Sequence, residues 1–237
     1  MAYSKSIPWS RISVEAVAIV ISILLAFSID AWWDGRKNQL EEREILIGLE
    51  VEFVDLRERL DRYAQFNRTG VVFIEQYLSE SVSDMDLKSI ESTFISATIV
   101  NVLDQGGAIE ALLASGRLEK ITDREIRARL TKWPDWLDDI HTNDLSARGY
   151  AEREITPFLT SHGFPANVCP EGAFYGCSGP EAVPDSYLRL AEDIEFRSML
   201  INRRGWMLAV ARDHENAREQ ADEILQLITE RLSVLDE

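Results

Sequence analysis

Residues 14–33 read VEAVAIVISILLAFSIDAWW, an almost uninterrupted apolar run that is followed by about two hundred strongly polar residues. The apolar core of a bilayer is roughly 30 Å thick and is crossed by about 20 helical residues. Trp9 precedes the run and Trp32 with Trp33 closes it, which suits aromatic rings resting in both headgroup regions. The sequence therefore predicts a single membrane-spanning helix over residues 12–33.

A buried core helix and a cleaved signal peptide are the alternatives to a membrane span. Lys5 and Arg11 form a basic start, and Ala26-Phe27-Ser28 has the small residues of a cleavage site. Against cleavage stand the acidic Glu15 at the start of the run and the lack of a turn-forming residue before that site. A buried core helix is normally shorter than this run.

One side of the predicted span is small and polar. At 100° per residue this side carries Glu15, Ala18, Ser22, Ala26, Ile29 and Trp33. Small residues four apart let helix backbones approach closely in lipid, and a carboxylate at the membrane edge favours a neighbouring helix. We therefore expect an interaction face, for a homo-oligomer or for other membrane-protein helices, made of Glu15, Ala18, Ser22, Ala26 and Asp30. The alternative is that the small residues are merely tolerated and that both carboxylates reach headgroup water.

The remainder, residues 34–237, has the composition of one folded helical domain. The chain is 46% hydrophobic and 28% charged, and its formal net charge is -16 at pH 7. Such a domain repels nucleic acid and anionic headgroups, so we expect no nucleic-acid partner. Plain solubility explains this charge most simply, although it would also attract basic partners or divalent cations.

Apolar residues recur at helical spacing directly after the run, and no proline occurs between Pro8 and Pro134. The predicted span should therefore continue as a helix outside the membrane. Its apolar positions are Leu46, Leu49, Phe53, Leu56, Leu60 and Tyr63. A pattern this short favours packing within the molecule's own bundle over an intermolecular coiled coil.

Shorter helices are predicted over residues 84–102 and 108–115. Gly116 is placed to end the second of these in the left-handed conformation, and Thr122 with Glu125 forms a capping box for the next helix. That helix meets Trp133-Pro134-Asp135-Trp136, where the proline kinks it or begins a new one. At this spacing the two tryptophans indicate core or interface rather than a ligand cage.

Residues 157–184 contain nine glycines and prolines and are predicted to form an irregular loop. The two cysteines, Cys169 and Cys177, lie in this loop, where they could form a small disulfide hairpin or stay reduced. Zinc would need further ligands, and the loop offers only His162. An oxidised pair favours a bacterial periplasm, and hence an inner-membrane protein with residues 1–11 in the cytoplasm.

Residues 193–232 form a long amphipathic segment with Asp193 as a candidate helix cap. Its apolar stripe consists of Phe196, Leu200, Met207, Val210, Ala217, Ala221, Ile224 and Ile228. The simplest packing sets this helix antiparallel to the first, with the shorter helices and the cysteine loop at the end far from the membrane. The fold class is therefore all-α, with an elongated helical bundle.

The start of the chain resembles a family of uncharacterised bacterial single-span membrane proteins. The matching residues are Glu15, Ser22, Ala26, Asp30, Trp32 and Asp34, followed by Arg36-Lys37. The chain departs from the family pattern by carrying Ser22 for a glycine and Asp30 for an asparagine. A second patch, from Ala114-Ser115-Gly116-Arg117-Leu118 through Ile121, Asp123 and Ile126, resembles the family's internal Ser-Gly-x-Leu segment. The resemblance implies a membrane-anchored helical protein and brings no known activity with it.

No catalytic or cofactor motif stands out, and two classes of function remain. The first is a non-enzymatic interaction, scaffolding or sensory subunit that needs no cofactor or metal. The second is a metal-dependent hydrolase or ligand-processing enzyme that uses carboxylates such as Glu110 or Asp138-Asp139. His141, His162 and His214 lie far apart in the sequence, and the acidic neighbours of His214 favour a solvated helix face. We expect the first class.

Overall fold

The computed structural model describes residues 9–79, 81, 87–104, 107–163 and 189–236, with side chains from Ile19 onward except those of Leu87 and Ala108. Every regular element in these ranges is helical, which confirms the all-α prediction. The helices are α1 (Trp9–Ser79), α2 (Leu87–Thr98), α3 (Ala108–Ala114), α4 (Arg124–Tyr150), α5 (Thr156–Ser161) and α6 (Ile194–Leu235). A 3-10 turn (Arg117–Lys120) precedes α4, and a π-helical turn (Ala151–Ile155) joins α4 to α5.

Helix α1 runs without a break from the apolar run into the bundle. It has 71 residues and is about 105 Å long at the usual helical rise. Leu46, Phe53 and Leu60 are fully buried, as their spacing predicts, and Gly35 and Gly48 do not interrupt the helix. Within the part of the chain that the structure describes, no helix has a segment both long and apolar enough to cross a membrane.

Helix α6 packs antiparallel against α1, as predicted. Near one end of the pair Arg43 lies 2.7 Å from Asp236, and toward the other end Arg204 lies 3.2 Å from Glu75. Asp193 caps α6 by accepting the backbone N–H of Phe196 at 2.9 Å, which confirms the predicted start. All members of the predicted apolar stripe are buried: Phe196, Leu200, Met207, Val210, Ala217, Ala221, Ile224 and Ile228.

Two apolar cores follow one another along the α1–α6 pair. We call the one nearer the start of α1 the proximal core, which includes Leu46, Phe53, Trp133 and Ile224. The other, the distal core, is rich in aromatic rings, and Phe94 meets Phe196 edge-on at 5.3 Å between ring centroids. Edge-on ring packing of this kind stabilises the end of the bundle where α2 joins it.

The predicted placement of the short helices is wrong for α3. Helix α2 packs on the distal part of α1, whereas Ile109 and Leu112 of α3 join the proximal core. Lys120, in the turn after α3, lies 3.0 Å from Glu41 near the start of the bundle. Burial of the apolar face of α3 decides this position, and a seven-residue helix gives too little sequence signal to reveal where that face packs.

One predicted helix boundary needs correction, and another is confirmed. The capping-box prediction is wrong, because Asp123 caps α4 and accepts the backbone N–H groups of Glu125 and Ile126 at 2.8 and 2.9 Å. The hydroxyl group of Thr122 instead donates to Glu42. Gly116 adopts the predicted left-handed conformation, with φ of 69°.

The structure changes three predicted segment boundaries. Helix α4 continues through Pro134 without ending. Helix α2 ends at Thr98, before the predicted end at residue 102. Helix α5 continues to Ser161, so the predicted loop cannot begin at residue 157, and Pro157 lies in the first turn of that helix, which tolerates a missing N–H. Cys169 and Cys177 lie outside the described residues, and their predicted pairing stays a prediction.

Candidate functional site

An acidic cavity of about 300 Å³ opens beside the proximal core, between α1, α3 and α4. Its volume is at the small end of the range of roughly 300–1,000 Å³ that is usual for ligand sites. Its lining includes the carboxylates of Glu52, Asp104, Glu110, Asp135 and Asp138, the guanidinium group of Arg59, and apolar side chains. We refer to it below as the acidic cavity.

Trp133 forms part of the wall of the acidic cavity. Its side chain is only 2% exposed, and its ring packs edge-on against Phe53 with centroids 5.0 Å apart. Its buried indole N–H has no hydrogen-bond acceptor among the described residues. A buried tryptophan normally finds such a partner, so this donor is unsatisfied, and it has almost no surface open to the cavity.

Gly107 brings a carboxylate close to the backbone at the rim. A Cβ atom at this position would collide with Oε1 of Glu52. The φ angle of Gly107 is 155°, a value that residues with side chains rarely adopt. Glycine at this position is therefore required for the placement of Glu52.

The electrostatic character of the acidic cavity is strongly negative. Arg59 is the one basic residue in its described lining, and it already forms an ion pair with Asp55, with Nε 3.0 Å from Oδ2. Asp104, Glu110 and Asp135 have neither an ion pair nor a side-chain hydrogen bond within the described residues. Such a cluster attracts cations and repels anions.

Polar side chains of α4 hold the segment that carries Asp104. Asp144 accepts the backbone N–H of Leu103 at 2.9 Å, and Nδ1 of His141 lies 2.9 Å from the carbonyl oxygen of Leu103. His214 is fully buried and places Nε2 3.3 Å from Asp144. The prediction of a solvated face for His214 is therefore wrong. Its position on the buried stripe of α6 was the signal that sequence reasoning overlooked.

The structure separates the acidic residues that the sequence singles out. Glu110 and Asp138 line the same cavity, whereas Asp139 lies outside the described lining, and all three side chains are exposed. Glu52 and Asp104 join them without any sequence motif, because tertiary packing alone brings these segments together. Among the described residues, no group of three or more His, Cys, Asp or Glu side chains could hold a metal ion.

The predicted membrane residues lie far from this cavity, on the N-terminal part of α1. Trp32 and Trp33 are 66% and 64% exposed, with ring centroids 6.2 Å apart. Ser22, Ala26 and Asp30 also lie on the exposed part of this helix. The side chains of three further predicted members, Trp9, Glu15 and Ala18, lie outside the described residues.

Comparison with known proteins leaves the family open. The resemblance to bacterial single-span membrane proteins stays a prediction drawn from its two sequence patches. No family model, curated protein or solved structure matches this chain.

Proposed function

We propose that this protein is a membrane-anchored, non-enzymatic interaction or sensory subunit that presents its acidic helical domain outside the cytoplasm. The observation that carries this proposal is the exposure of large apolar side chains over most of the circumference of the N-terminal part of α1. Leu24, Leu25 and Phe27 are between 59% and 66% exposed, and Ile19 and Ile29 are similar. Exposed apolar surface costs about 25 cal/mol per Å² in water.

A helix with apolar side chains over most of its circumference is covered by protein or by lipid. Residues 12–33 have the length that a bilayer requires, with tryptophans at both borders. The structure describes side chains from Ile19 onward. For the first residues of the run, the proposal therefore rests on the sequence alone. Lipid is therefore the proposed surrounding of this segment.

The proposed orientation places the N-terminus in the cytoplasm and the domain in the periplasm. Basic residues do not decide it, since Lys5 and Arg11 before the run are balanced by Arg36, Lys37 and Arg43 after it. The support comes from the cysteine pair, whose spacing suits a disulfide in an oxidising compartment.

The architecture suits the transfer of a binding signal. The same helix that carries the proposed anchor supplies Glu52 and Leu56 to the acidic cavity. Trp33 and Glu52 are about 29 Å apart at helical rise, with no break between them. Binding rather than catalysis is proposed because the carboxylate-dependent alternative needs a metal, and no group of three or more His, Cys, Asp or Glu residues among those described could hold one.

The proposed partners within the membrane are a second copy or other membrane-protein helices. Ser22 and Ala26 are small residues four apart on the exposed part of α1, and Ala18 extends the series in the sequence. Close backbone packing through such residues drives helix association in lipid.

Extraction of membranes with alkaline carbonate tests the anchor. We expect the full-length chain to stay in the pellet and Leu25→Arg to reduce the inserted fraction, since an arginine at the centre of a span costs about 2.5–3.5 kcal/mol. Val51→Arg is the matched control, because Val51 is equally exposed on α1 but lies outside the predicted span. Release of the unmodified chain, or equal effects of both substitutions, would overturn the anchor.

A membrane-impermeant protease added to spheroplasts tests the orientation. We expect it to digest the domain. Protection of the domain in intact spheroplasts, with digestion after lysis, would reverse the proposed topology.

A further inference from the structure

We propose that α1 pairs in parallel with α1 of a second copy of this chain, through an exposed apolar stripe that leaves the predicted span and continues along the bundle. The proposed function leaves the partner in the membrane open, and this inference commits to a second copy and to the surface that it contacts. The parallel direction rests on the proposed anchor, because two copies inserted in one membrane with the same orientation present α1 in the same direction.

Apolar residues occupy every seventh position along one exposed side of α1. The described members of this stripe are Ile19, Ala26, Trp33, Leu40, Ile47 and Val54. A repeat of seven residues keeps one side of a helix facing a partner as the two helices supercoil. A coiled coil takes about three to four such heptads, and the stripe continues through five before Asp61 ends it.

Outside the predicted span, the stripe lies opposite the side of α1 that packs in the bundle. Leu40 is 50% exposed, and Ile47 and Val54 are each 36% exposed. Val51, at 68% exposure, adds a further apolar side chain beside them. Leu60 is fully buried on the opposite side, at 100° per residue. Helix α1 therefore has two apolar sides, and the described residues cover only one of them.

Space for a second helix lies beside the stripe. A groove of about 510 Å³ between α1 and α3 is lined by apolar side chains of both helices, among them Leu49 and Leu112. Gly48 lies at the edge of this groove next to the stripe, and no described atom outside the local helix backbone lies within 4 Å of the place that its Cβ atom would take. Side chains of a second copy that pack beside Ile47 therefore meet open apolar surface.

Charged residues at the start of the bundle favour a second copy in register. With Leu40 at position d of the heptad abcdefg, Arg36 and Glu41 occupy a g position and the following e position, where parallel helices exchange ion pairs. Arg36 has no ion pair among the described residues. Glu41 contacts Lys120 through Oε2, and a carboxylate has a second oxygen that can accept from Arg36 of the other copy.

The next g and e positions with two charged residues carry like charges, on Glu50 and Asp55. Each already contacts its own chain: Glu50 accepts from the hydroxyl group of Thr229 at 3.4 Å, and Asp55 forms an ion pair with Arg59 at 3.0 Å. These carboxylates weaken the pairing without blocking it. A change of sign at Glu50 should therefore strengthen it.

Oxidative cross-linking in native membranes tests the surface. Leu40→Cys, Ile47→Cys and Val54→Cys should each give a disulfide-linked species of twice the mass of the chain, because equivalent seam positions of a parallel pair come within reach of a disulfide. Ile201→Cys is the matched control, because Ile201 is 52% exposed on α6, away from the stripe. The unmodified chain measures the background from its own two cysteines.

Sedimentation equilibrium of the full-length protein in detergent micelles measures the strength of the pairing. Val51→Arg should raise the dimer dissociation constant about tenfold or more, since it places an unpaired charge against the stripe of the other copy. Val51 is exposed in the single chain, so the fold should tolerate this change, and a thermal unfolding curve verifies it. Ile201→Arg is the control and should leave the dissociation constant unchanged.

Charge changes test the register. Glu50→Arg should lower the dissociation constant about threefold, because it replaces two symmetric repulsions with two surface ion pairs. Arg36→Glu should raise it about threefold, and Glu41→Arg in the same chain should restore it.

Three results would overturn the proposal. They are equal cross-linking of the stripe variants and Ile201→Cys, a cross-linked species whose mass differs from twice that of the chain, and an unmodified protein that stays monomeric at all concentrations in micelles. Failure of the membrane anchor is distinguishable, because carbonate extraction measures insertion, whereas cross-linking and sedimentation measure the stripe.

Discussion

Replacement of Glu42 should be among the most destabilising single changes at the proximal end of the bundle. Glu42 is 1% exposed and accepts hydrogen bonds from Arg231 at 3.0 and 3.1 Å and from the backbone N–H and hydroxyl group of Thr122 at 2.8 and 2.9 Å. These bonds join α1 to the end of α6 and to the residue before the cap of α4. The carboxylate therefore connects three segments that are distant in the sequence.

The magnitude for Glu42→Ala follows from these contacts. Hydrogen bonds to a charged group contribute about 1.5–3 kcal/mol each, but Arg231 is 24% exposed and regains water when its partner is lost. We therefore expect a loss of about 3 kcal/mol in the free energy of unfolding. For a domain of this size, that loss lowers the melting temperature by about 6–12 °C.

The effect should depend on pH. Burial alone would raise the pKa of Glu42, but hydrogen bonds from Arg231 and Thr122 hold it below its ordinary value. A carboxylate whose pKa is lowered by folding stabilises the protein above its unfolded pKa of about 4.5, and this contribution is lost as the pH falls through the folded pKa. The difference between the wild type and Glu42→Ala should therefore be largest near neutral pH and shrink at acid pH.

Thermal unfolding of the full-length protein in detergent, followed by far-ultraviolet circular dichroism, measures this difference. Glu41→Ala is the control, because Glu41 is the neighbouring residue and forms a solvent-exposed ion pair with Lys120. It should lower the melting temperature far less. A difference for Glu42→Ala that is the same at neutral and acid pH, or that Glu41→Ala reproduces, would refute the reasoning.

Three further predictions concern other parts of the molecule. Arg203 is fully buried and donates to carbonyl groups at the end of α2, so Arg203→Met should lower the free energy of unfolding by about 2 kcal/mol; an unchanged denaturant midpoint would contradict this. Gly107→Ala should displace Glu52 and lower the free energy of unfolding by about 1–2 kcal/mol; an unchanged denaturant midpoint would count against the close approach. Ser22→Leu should weaken self-association of the proposed anchor in chemical cross-linking, and an unaffected oligomer would argue against that face.

The two long helices could be predicted from the sequence because periodicity is a local property of the chain. The spacing of Leu46, Phe53 and Leu60 in α1 places one apolar side toward a partner, and the stripe of α6 does the same. The part of α1 after the apolar run is about as long as α6, which makes antiparallel packing the simplest arrangement. The left-handed conformation of Gly116 could be predicted equally well, because glycine is the residue that adopts this conformation at little cost.

The partners of buried polar residues could not be predicted in this way. Arg203 and His214 both occupy positions of the buried stripe of α6, yet charge and acidic neighbours argue for solvent. Their burial is possible only because distant groups provide partners: carbonyl groups at the end of α2 for Arg203, and Asp144 of α4 for His214. A single segment carries no information about such partners.

The sequence by itself determined the helical class, the exposed apolar run and the two long helices, since each depends on residues that are neighbours along the chain. Tertiary structure alone decided the position of α3, the hydrogen bonds of Glu42 and the acidic cavity. Glu52, Asp104 and Asp138 are separated by dozens of residues and are brought to one cavity by α1, the segment after α2, and α4. The physical reason is that helix periodicity defines which side of a helix is buried, whereas its neighbours depend on the complementary packing of all the helices at once.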